Sequence, residues 1–395
     1  MRQLSVPFRG ERYTTTGQLS QLLSPPYDVL GPEQRRAYGE RHPANIVHLI
    51  LPDGTEQARY QSAVNVLNDW RAREVVAQDA EPAVYVVQQE FLTPDGVAHV
   101  RSGVIAAVAA EPYEGGRVRP HERTHRGPKE DRLALLTATR VQSEAIFLIA
   151  RDERGHLRRR IEGVTRHEPH AVAALDDVLI RLWWVRGVQA EEIARATGDT
   201  LYIADGHHRY ETATTAGTAD PAAARLPALI VPAGDPGLVV LPTHRLVRGA
   251  SPEVEAVRTM LARHFTVEER DAEWASAKLA RDLEGPDVRC AVLVAGRLLV
   301  GRAPAAGRLA IAVIEAAVVE PLKAMTGGTV GYTPDVGTLL TAHAEGAIGV
   351  LVPATPLDAV LATADQGGVM PPKSTYFQPK VPSGLVWMPL AQDSA

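Results

Sequence analysis

The sequence predicts a mixed α/β fold. Three observations carry that reading. Apolar, β-branched runs of strand length recur between amphipathic helical stretches. One of them, TLYIA at 200–204, runs straight through a glycine turn into a helix-compatible segment. The 395 residues also exceed what one hydrophobic core usually supports. We therefore expect a first domain over 1–250, a second, smaller α+β subdomain over 251–345, and a tail over 346–395 that packs back on the first domain.

The elements follow in order. Ser24-Pro25-Pro26-Tyr27-Asp28 is an extended, stiff turn, because two prolines forbid helix. Pro32–Glu40 reads as a short helix with proline in its first turn. Tyr60, Val64, Leu67 and Val75 recur at near-helical spacing, so 55–76 predicts one amphipathic helix. Ala83–Phe91 and Ser102–Ala109 are strands joined through the turn Thr93-Pro94-Asp95-Gly96, a hairpin signature. A charged stretch then leads into a helix over Lys129–Thr139, and Ala145–Ala150 is a strand. A polar helix over 186–199 precedes the strand at 200–204. Ala228–Pro232 and Leu238–Pro242 are further strands. Beyond Ser251 come a helix (PEVEAVRTMLARHF), a second helix and the hairpin CAVLVAGRLLVGRA. The tail offers the strand AIGVLVP, the helix PLDAVLATADQG, a proline-rich loop and a last short strand.

Composition narrows the function classes. Hydrophobic residues at 45% and charged residues at 23% are an ordinary globular balance, and aromatics at 5% leave the cores to Val, Leu, Ile and Ala. A net charge of −5 supplies no basic field, which argues against nucleic acid as a partner. The lone Cys290, in the apolar run VRCAVLVAG, excludes an internal disulfide and a cysteine-rich metal site, and reads as a buried, inert thiol. The start, MRQLSVPFRGERYTTT, has no signal-peptide core, and no segment approaches the ~18 apolar residues of a membrane span. We expect a cytoplasmic protein without a membrane partner.

The chemistry concentrates in Asp205-Gly206-His207-His208-Arg209. A strand that ends in a glycine turn and continues as a helix presents backbone N–H groups and the positive end of a helix dipole, which suits an anion. Gly206 permits close approach or positive φ. The two imidazoles and the guanidinium add donors. Asp205 is placed to cap the helix or to hold a metal ion. A second cluster, Arg119 to Arg132, is rich in His and Arg, and Glu122 within it is a candidate general base. Ser24–Asp28 would present Tyr27 and Asp28 at a pocket wall. Met370-Pro371-Pro372-Lys373-Ser374-Thr375-Tyr376-Phe377 is a proline-braced, polar loop of a kind that binds ligands, and Pro242-Thr243-His244-Arg245 is a smaller one. No Walker loop, GxGxxG, GxSxG or HExxH is present.

The segments SPPYDV, HERTHRGPKEDRLALLTATR, ADGHHRYETA, PTHRL and MPPKSTYFQPKVPSG, in that order, resemble the hallmark segments of the domain of unknown function 1015 family over nearly the whole chain. ADGHHRYE also resembles the core motif of the ParB/sulfiredoxin superfamily, in which such a turn binds nucleotide phosphates. That resemblance implies a ParB/sulfiredoxin-like core with large insertions. It assigns His208 and Arg209 to phosphate contacts and Asp205 and Gly206 to the turn. His207 stands where sulfiredoxin carries its reactive thiol, so peroxiredoxin repair is excluded.

The resulting expectation is a phosphotransferase, similar to the free-serine kinases of that superfamily, that moves a phosphoryl group from ATP or ADP to a small hydroxyl-bearing metabolite. Asp205, His207, Glu122 and Asp28 would be catalytic, with Asp205 holding Mg²⁺. Gly206, His208, Arg209, Arg123, Lys373, Ser374 and Thr375 would contact ligands. A nucleotide-binding switch without turnover, and a hydrolase or lyase of a phosphorylated small molecule, remain alternatives. The sequence leaves a homodimer open.

Overall fold

The computed structural model describes residues 3–390 except 115 and 123–125. Contacts divide the chain into two units. The first comprises 1–92, 98–238 and 379–395, and the second 93–97 and 239–378.

A nine-stranded mixed sheet forms the first unit. Its strands are β1 (Ser5–Val6), β2 (Ala83–Leu92), β3 (Ala98–Ala109), β4 (Val118–Arg119), β5 (Ile146–Ala150), β6 (Ala171–Leu175), β7 (Val178–Arg186), β8 (Leu201–Asp205) and β9 (Arg225–Pro232). The order is β4-β8-β5-β9-β3-β2-β7-β6, with β1 beside β3. Only β4 with β8 and β5 with β9 pair in parallel.

Burial follows position in the sheet. β5 reads IFLIA, and every residue is buried, as a strand covered on both faces requires. The edge strand β6 alternates buried and exposed residues. The helices of this unit include α1 (Pro32–Arg41), α2 (Glu56–Ala72), α3 (Arg126–Thr139), α4 (His156–Thr165), α5 (Gly187–Ala196) and α6 (His207–Ala219). Leu157 and Ile161 of α4, Ala190 and Ile193 of α5, and Tyr210 and Ala213 of α6 join Ile146, Leu148, Leu201 and Ile203 in one core. Truncating Ile203, which is fully buried there, costs about 2–5 kcal/mol.

The second unit is built on a six-stranded antiparallel sheet. Its strands are β10 (His244–Arg248), β11 (Thr266–Asp271), β12 (Asp287–Val294), β13 (Arg297–Pro304), β14 (Thr329–Thr333) and β15 (Ile348–Leu351), in the order β11-β13-β12-β15-β10-β14. One face carries α7 (Val254–Ala262), α8 (Ala310–Ile314) and α9 (Glu320–Thr326); the other carries α10 (Val336–Ala344). Cys290 is buried in β12, and burial pushes its thiol up to about 12.

Two sequence expectations change here. The second unit starts at Val239 rather than Ser251, because β10 hydrogen-bonds to β14 and β15. Residues 346–378 belong to the same unit, so only the stretch from Pro379 onward returns to the first. Helix α4 and the β6–β7 hairpin carry no expectation from the sequence reading at all.

Candidate functional site

The site lies where β8 meets α6. Register along β8 pairs Ile203 with Leu148 but Asp205 with Phe147, an irregularity that spends two residues of β8 on one step of β5. Such a bulge re-aims the side chains beyond it. Gly206 follows at φ 95°, ψ 28°, in the left-handed region. A Cβ there would stand 2.6 Å from Ile146 Cγ2, so both backbone angle and space demand glycine. Helix α6 then begins with no side-chain cap on its first turn. Its N–H groups and dipole point out of that end.

Two cations converge on Asp205. Lys380 Nζ donates to Oδ1 at 2.5 Å, and Arg209 Nη2 donates to Oδ2 at 3.0 Å. Burial alone would raise the carboxyl, but Lys380 and Arg209 together hold it down at about 2. Lys380 is itself set by a buried clamp. Arg101 Nη2 donates to the Pro379 carbonyl at 2.7 Å and to Gln89 Oε1 at 2.5 Å, while Gln89 Nε2 donates to the Lys380 carbonyl at 3.2 Å. Arg101 and Gln89 are each 1% exposed, and the Arg101 guanidinium lies 4.4 Å over the Phe147 ring.

Arg209 is enclosed. Nη1 donates to the Ala145 carbonyl at 2.9 Å, and Nη2 also faces Asp28 Oδ2 at 3.8 Å. Burial would lower its pKa, but Asp28, Glu144 and Asp205 outweigh that and raise it. Its Nη1 and Nη2 are thus committed to the protein's own acceptors, while the buried Nε has no hydrogen-bond partner. Through those two nitrogens it braces Asp205 and the Tyr27–Asp28 turn. Glu144 completes that wall, accepting from Tyr27 N at 3.1 Å and Ser383 Oγ at 2.9 Å.

The imidazole of His207 is buried, and its Nε2 has no hydrogen-bond partner. It meets His121 edge-on, with centroids 4.9 Å apart at 83°. His121 follows β4, whose parallel pairing with Leu201 and Tyr202 carries it to the end of β8. Both rings are held neutral. Burial depresses both, each most strongly, and the neighbouring His121 ring depresses His207 further.

The expected residues are therefore sorted by the fold. Asp28, Asp205, Gly206, His207 and Arg209 share this corner, and Glu122 follows His121 directly. Asp131 is withdrawn into contacts with Arg59, Tyr60 and Arg132. Lys129 reaches Glu211 of α6 at 2.7 Å. Lys373, Ser374 and Thr375 belong to the second unit, where Ser374 Oγ donates to the Pro371 carbonyl at 2.6 Å. Arg123 lies outside the described residues. The lysine found at Asp205 is Lys380, seven residues beyond Lys373 in the same proline-rich segment.

The expectation that Asp205 holds Mg²⁺ does not fit its surroundings. Both of its oxygens accept charge-assisted hydrogen bonds from cations. Among the described residues no group of three or more His, Cys, Asp or Glu side chains could hold a metal ion.

Fold and site together define a mixed α/β protein with a glycine turn and two buried histidines at a helix N-terminus. Among the described residues no helix is long and apolar enough to cross a membrane. The chain belongs to the family described as protein of unknown function (DUF1015), whose model matches residues 6–301. A search of curated proteins finds no match. Among solved structures it is similar to a mutant free serine kinase in complex with ADP, at 14% identity and TM-score 0.39, covering 69% of this chain and 87% of that one. It is also similar to a conserved hypothetical protein from Pyrococcus furiosus, at 15% identity and TM-score 0.38, covering 71% and 93%. A third is SbnI with a C-terminal truncation from Staphylococcus aureus, at 12% identity and TM-score 0.40, covering 74% and 90%.

Proposed function

We propose that the chain is a nucleotide-dependent phosphotransferase, serine-kinase-like, that uses ATP or ADP to phosphorylate a small hydroxyl-bearing metabolite. One observation carries the reading: the bulged end of β8 turns through Gly206 into α6 beside a buried His207 whose Nε2 has no partner. A buried imidazole nitrogen without a partner calls for one, and in the tautomer that carries the proton on Nε2 a phosphate oxygen at a helix N-terminus supplies it. The likeness of ADGHHRYE to a nucleotide-phosphate-binding turn supports a nucleotide as its source.

In this reading the α6 amides, His207 and the Lys380 ammonium hold phosphate oxygens. Asp205 and Arg209 are positioning residues that fix Lys380 and the turn. The acceptor hydroxyl oxygen attacks the terminal phosphorus, and the bond from phosphorus to the bridging oxygen breaks. That electron pair leaves on the nucleotide product, and the hydroxyl proton passes to Glu122 or Asp28. Phosphoryl transfer asks mainly for positioning and charge neutralisation, which this inventory supplies. Asp205 is not assigned to a metal.

The test is phosphorus NMR of the full chain with ATP or ADP, Mg²⁺ and a pool of hydroxy acids and amino acids. A new phosphorylated product, lost in Lys380→Met while the circular dichroism spectrum is kept, supports the reading. Saturable nucleotide binding without turnover would instead favour a regulatory nucleotide-binding protein, a reading that the neutralised Asp205 also suits. Release of phosphate from phosphorylated small molecules would favour a hydrolase. No nucleotide binding at about 1 mM, a free energy of only about 4 kcal/mol, sinks the proposal.

A further inference from the structure

The second unit contains a polar cluster that phosphoryl transfer does not use. Arg245, on β10, is 0% exposed. Its Nε donates to Glu315 Oε2 at 3.2 Å, and its Nη1 folds back to donate to the Thr243 carbonyl. The remaining nitrogen, Nη2, has no partner, and neither has the buried Thr243 hydroxyl. Tyr332, opposite Arg245 in the β10–β14 register, stands with its ring 5.6 Å from the guanidinium. It is 39% exposed and marks the solvent side of the cluster.

Glu315 is delivered by an unusual device. It opens a five-residue π-helical turn, Glu315–Val319, between α8 and α9. An extra residue in a helical turn rotates the side chains that follow, and such turns gather at functional sites. The sequence around it, AAVV, is apolar and buries Ala317, Val318 and Val319 in the core. Those residues anchor the turn, and the Glu315 side chain stays 18% exposed.

Charge decides what the cluster accepts. Arg245 and Glu315 cancel. His244, one residue earlier, points to the opposite face of β10. Its Nδ1 accepts from Val352 N, and burial depresses it to about 4, so it adds no charge at neutral pH. A simple anion on Arg245 would leave one uncompensated negative charge in a buried site, and a simple cation would leave one positive charge, each costly. A zwitterion leaves none.

We propose that Thr243, Arg245 and Glu315 form a binding site for a free α-amino acid. Its carboxylate takes Arg245 Nη2 and the Thr243 hydroxyl, and its ammonium takes the second carboxylate oxygen of Glu315. This site lies wholly within the second unit and stands independently of the phosphoryl-transfer reading.

Isothermal titration of the full chain, without nucleotide, against a panel of free α-amino acids tests it. Propionate and ethylamine stand for the carboxylate and the ammonium alone. At least one amino acid should bind roughly tenfold more tightly than either fragment, a difference of about 1.4 kcal/mol. Glu315→Gln should weaken the amino acid by a similar factor and strengthen propionate, because the arginine charge is then uncancelled. Thr243→Val should weaken both. Equal affinity for propionate and the amino acid overturns the zwitterion assignment in favour of a plain anion site. No saturable binding up to about 10 mM by a folded protein means that water fills the unpartnered positions, and the site falls. Repeating the titration on Lys380→Met separates the two sites, since amino-acid binding should survive there.

Discussion

The two units each bury an arginine against a carboxylate, and the two arginines are driven in opposite directions. Arg209 faces Asp205, Asp28 and Glu144, and acids in excess raise its pKa. Arg245 has Glu315 alone, and burial lowers its pKa, only partly offset by that partner. Each also keeps one buried guanidinium nitrogen without a hydrogen-bond partner, Nε of Arg209 and Nη2 of Arg245. Residue type is the same and both side chains are buried, so the count of facing carboxylates sets the direction of each shift.

The sharpest way to break this comparison is to neutralise each arginine. Arg209→Met leaves three acids around a buried position, and urea unfolding should show a loss of about 3–5 kcal/mol. An Arg209→Met protein as stable as the parent would remove the brace assignment. Gly206→Ala comes next. Positive φ and the approach to Ile146 should cost about 1–3 kcal/mol and abolish nucleotide binding. Arg245→Met should cost only about 1–2 kcal/mol, because Glu315 can turn toward water. An equal loss at both arginines would contradict the distinction.

Titration sharpens it further. His121 and His207 stay neutral in the folded protein while the unfolded chain protonates below its ordinary value of about 6.5. Their contribution is therefore complete above that pH and declines as pH falls below it, by up to about 1.4 kcal/mol per pH unit for each histidine. In the second unit His244 behaves alike, down to about 4. Asp205 contributes later, its share being lost only between its ordinary value of 3.8 and about 2. His207→Asn should flatten the upper part of the stability profile, and an unchanged slope would show that the ring is not held neutral. Lys380→Met leaves Asp205 with Arg209 as its remaining cation, so it should cost about 1–3 kcal/mol while weakening nucleotide binding roughly tenfold.

The sequence made the strand-turn-helix at 200–219 legible because its signals are local: an apolar strand, a glycine and a helix-compatible continuation. The pairing of Asp205 with Lys380 spans 175 positions, and no local pattern announces it. Lys380 sat in a segment already singled out, but Lys373 drew attention because Ser374 and Thr375 follow it. Gln89 was hidden inside a strand run, where a polar residue is normally solvent-facing, and Arg101 lay just ahead of the run that began at Ser102. Helix α4 was missed because HLRRRIEGVT is rich in arginine and its buried stripe is only Leu157, Ile161 and Val164. The boundary near 239 was missed because β10 follows the first domain's last strand with no change of composition, and its partners lie beyond residue 328.

The path of the chain sets an order of events on the ribosome. Apart from 93–97, everything between Leu238 and Pro379 belongs to the other unit. Synthesis of that stretch takes roughly ten to thirty seconds. Through that interval the nascent Asp205 has emerged without Lys380, and Glu11 without the indole N–H that Trp387 donates to it. A ribosome that stalls in the later unit therefore releases a chain in which Asp205 and Glu11 lack these partners.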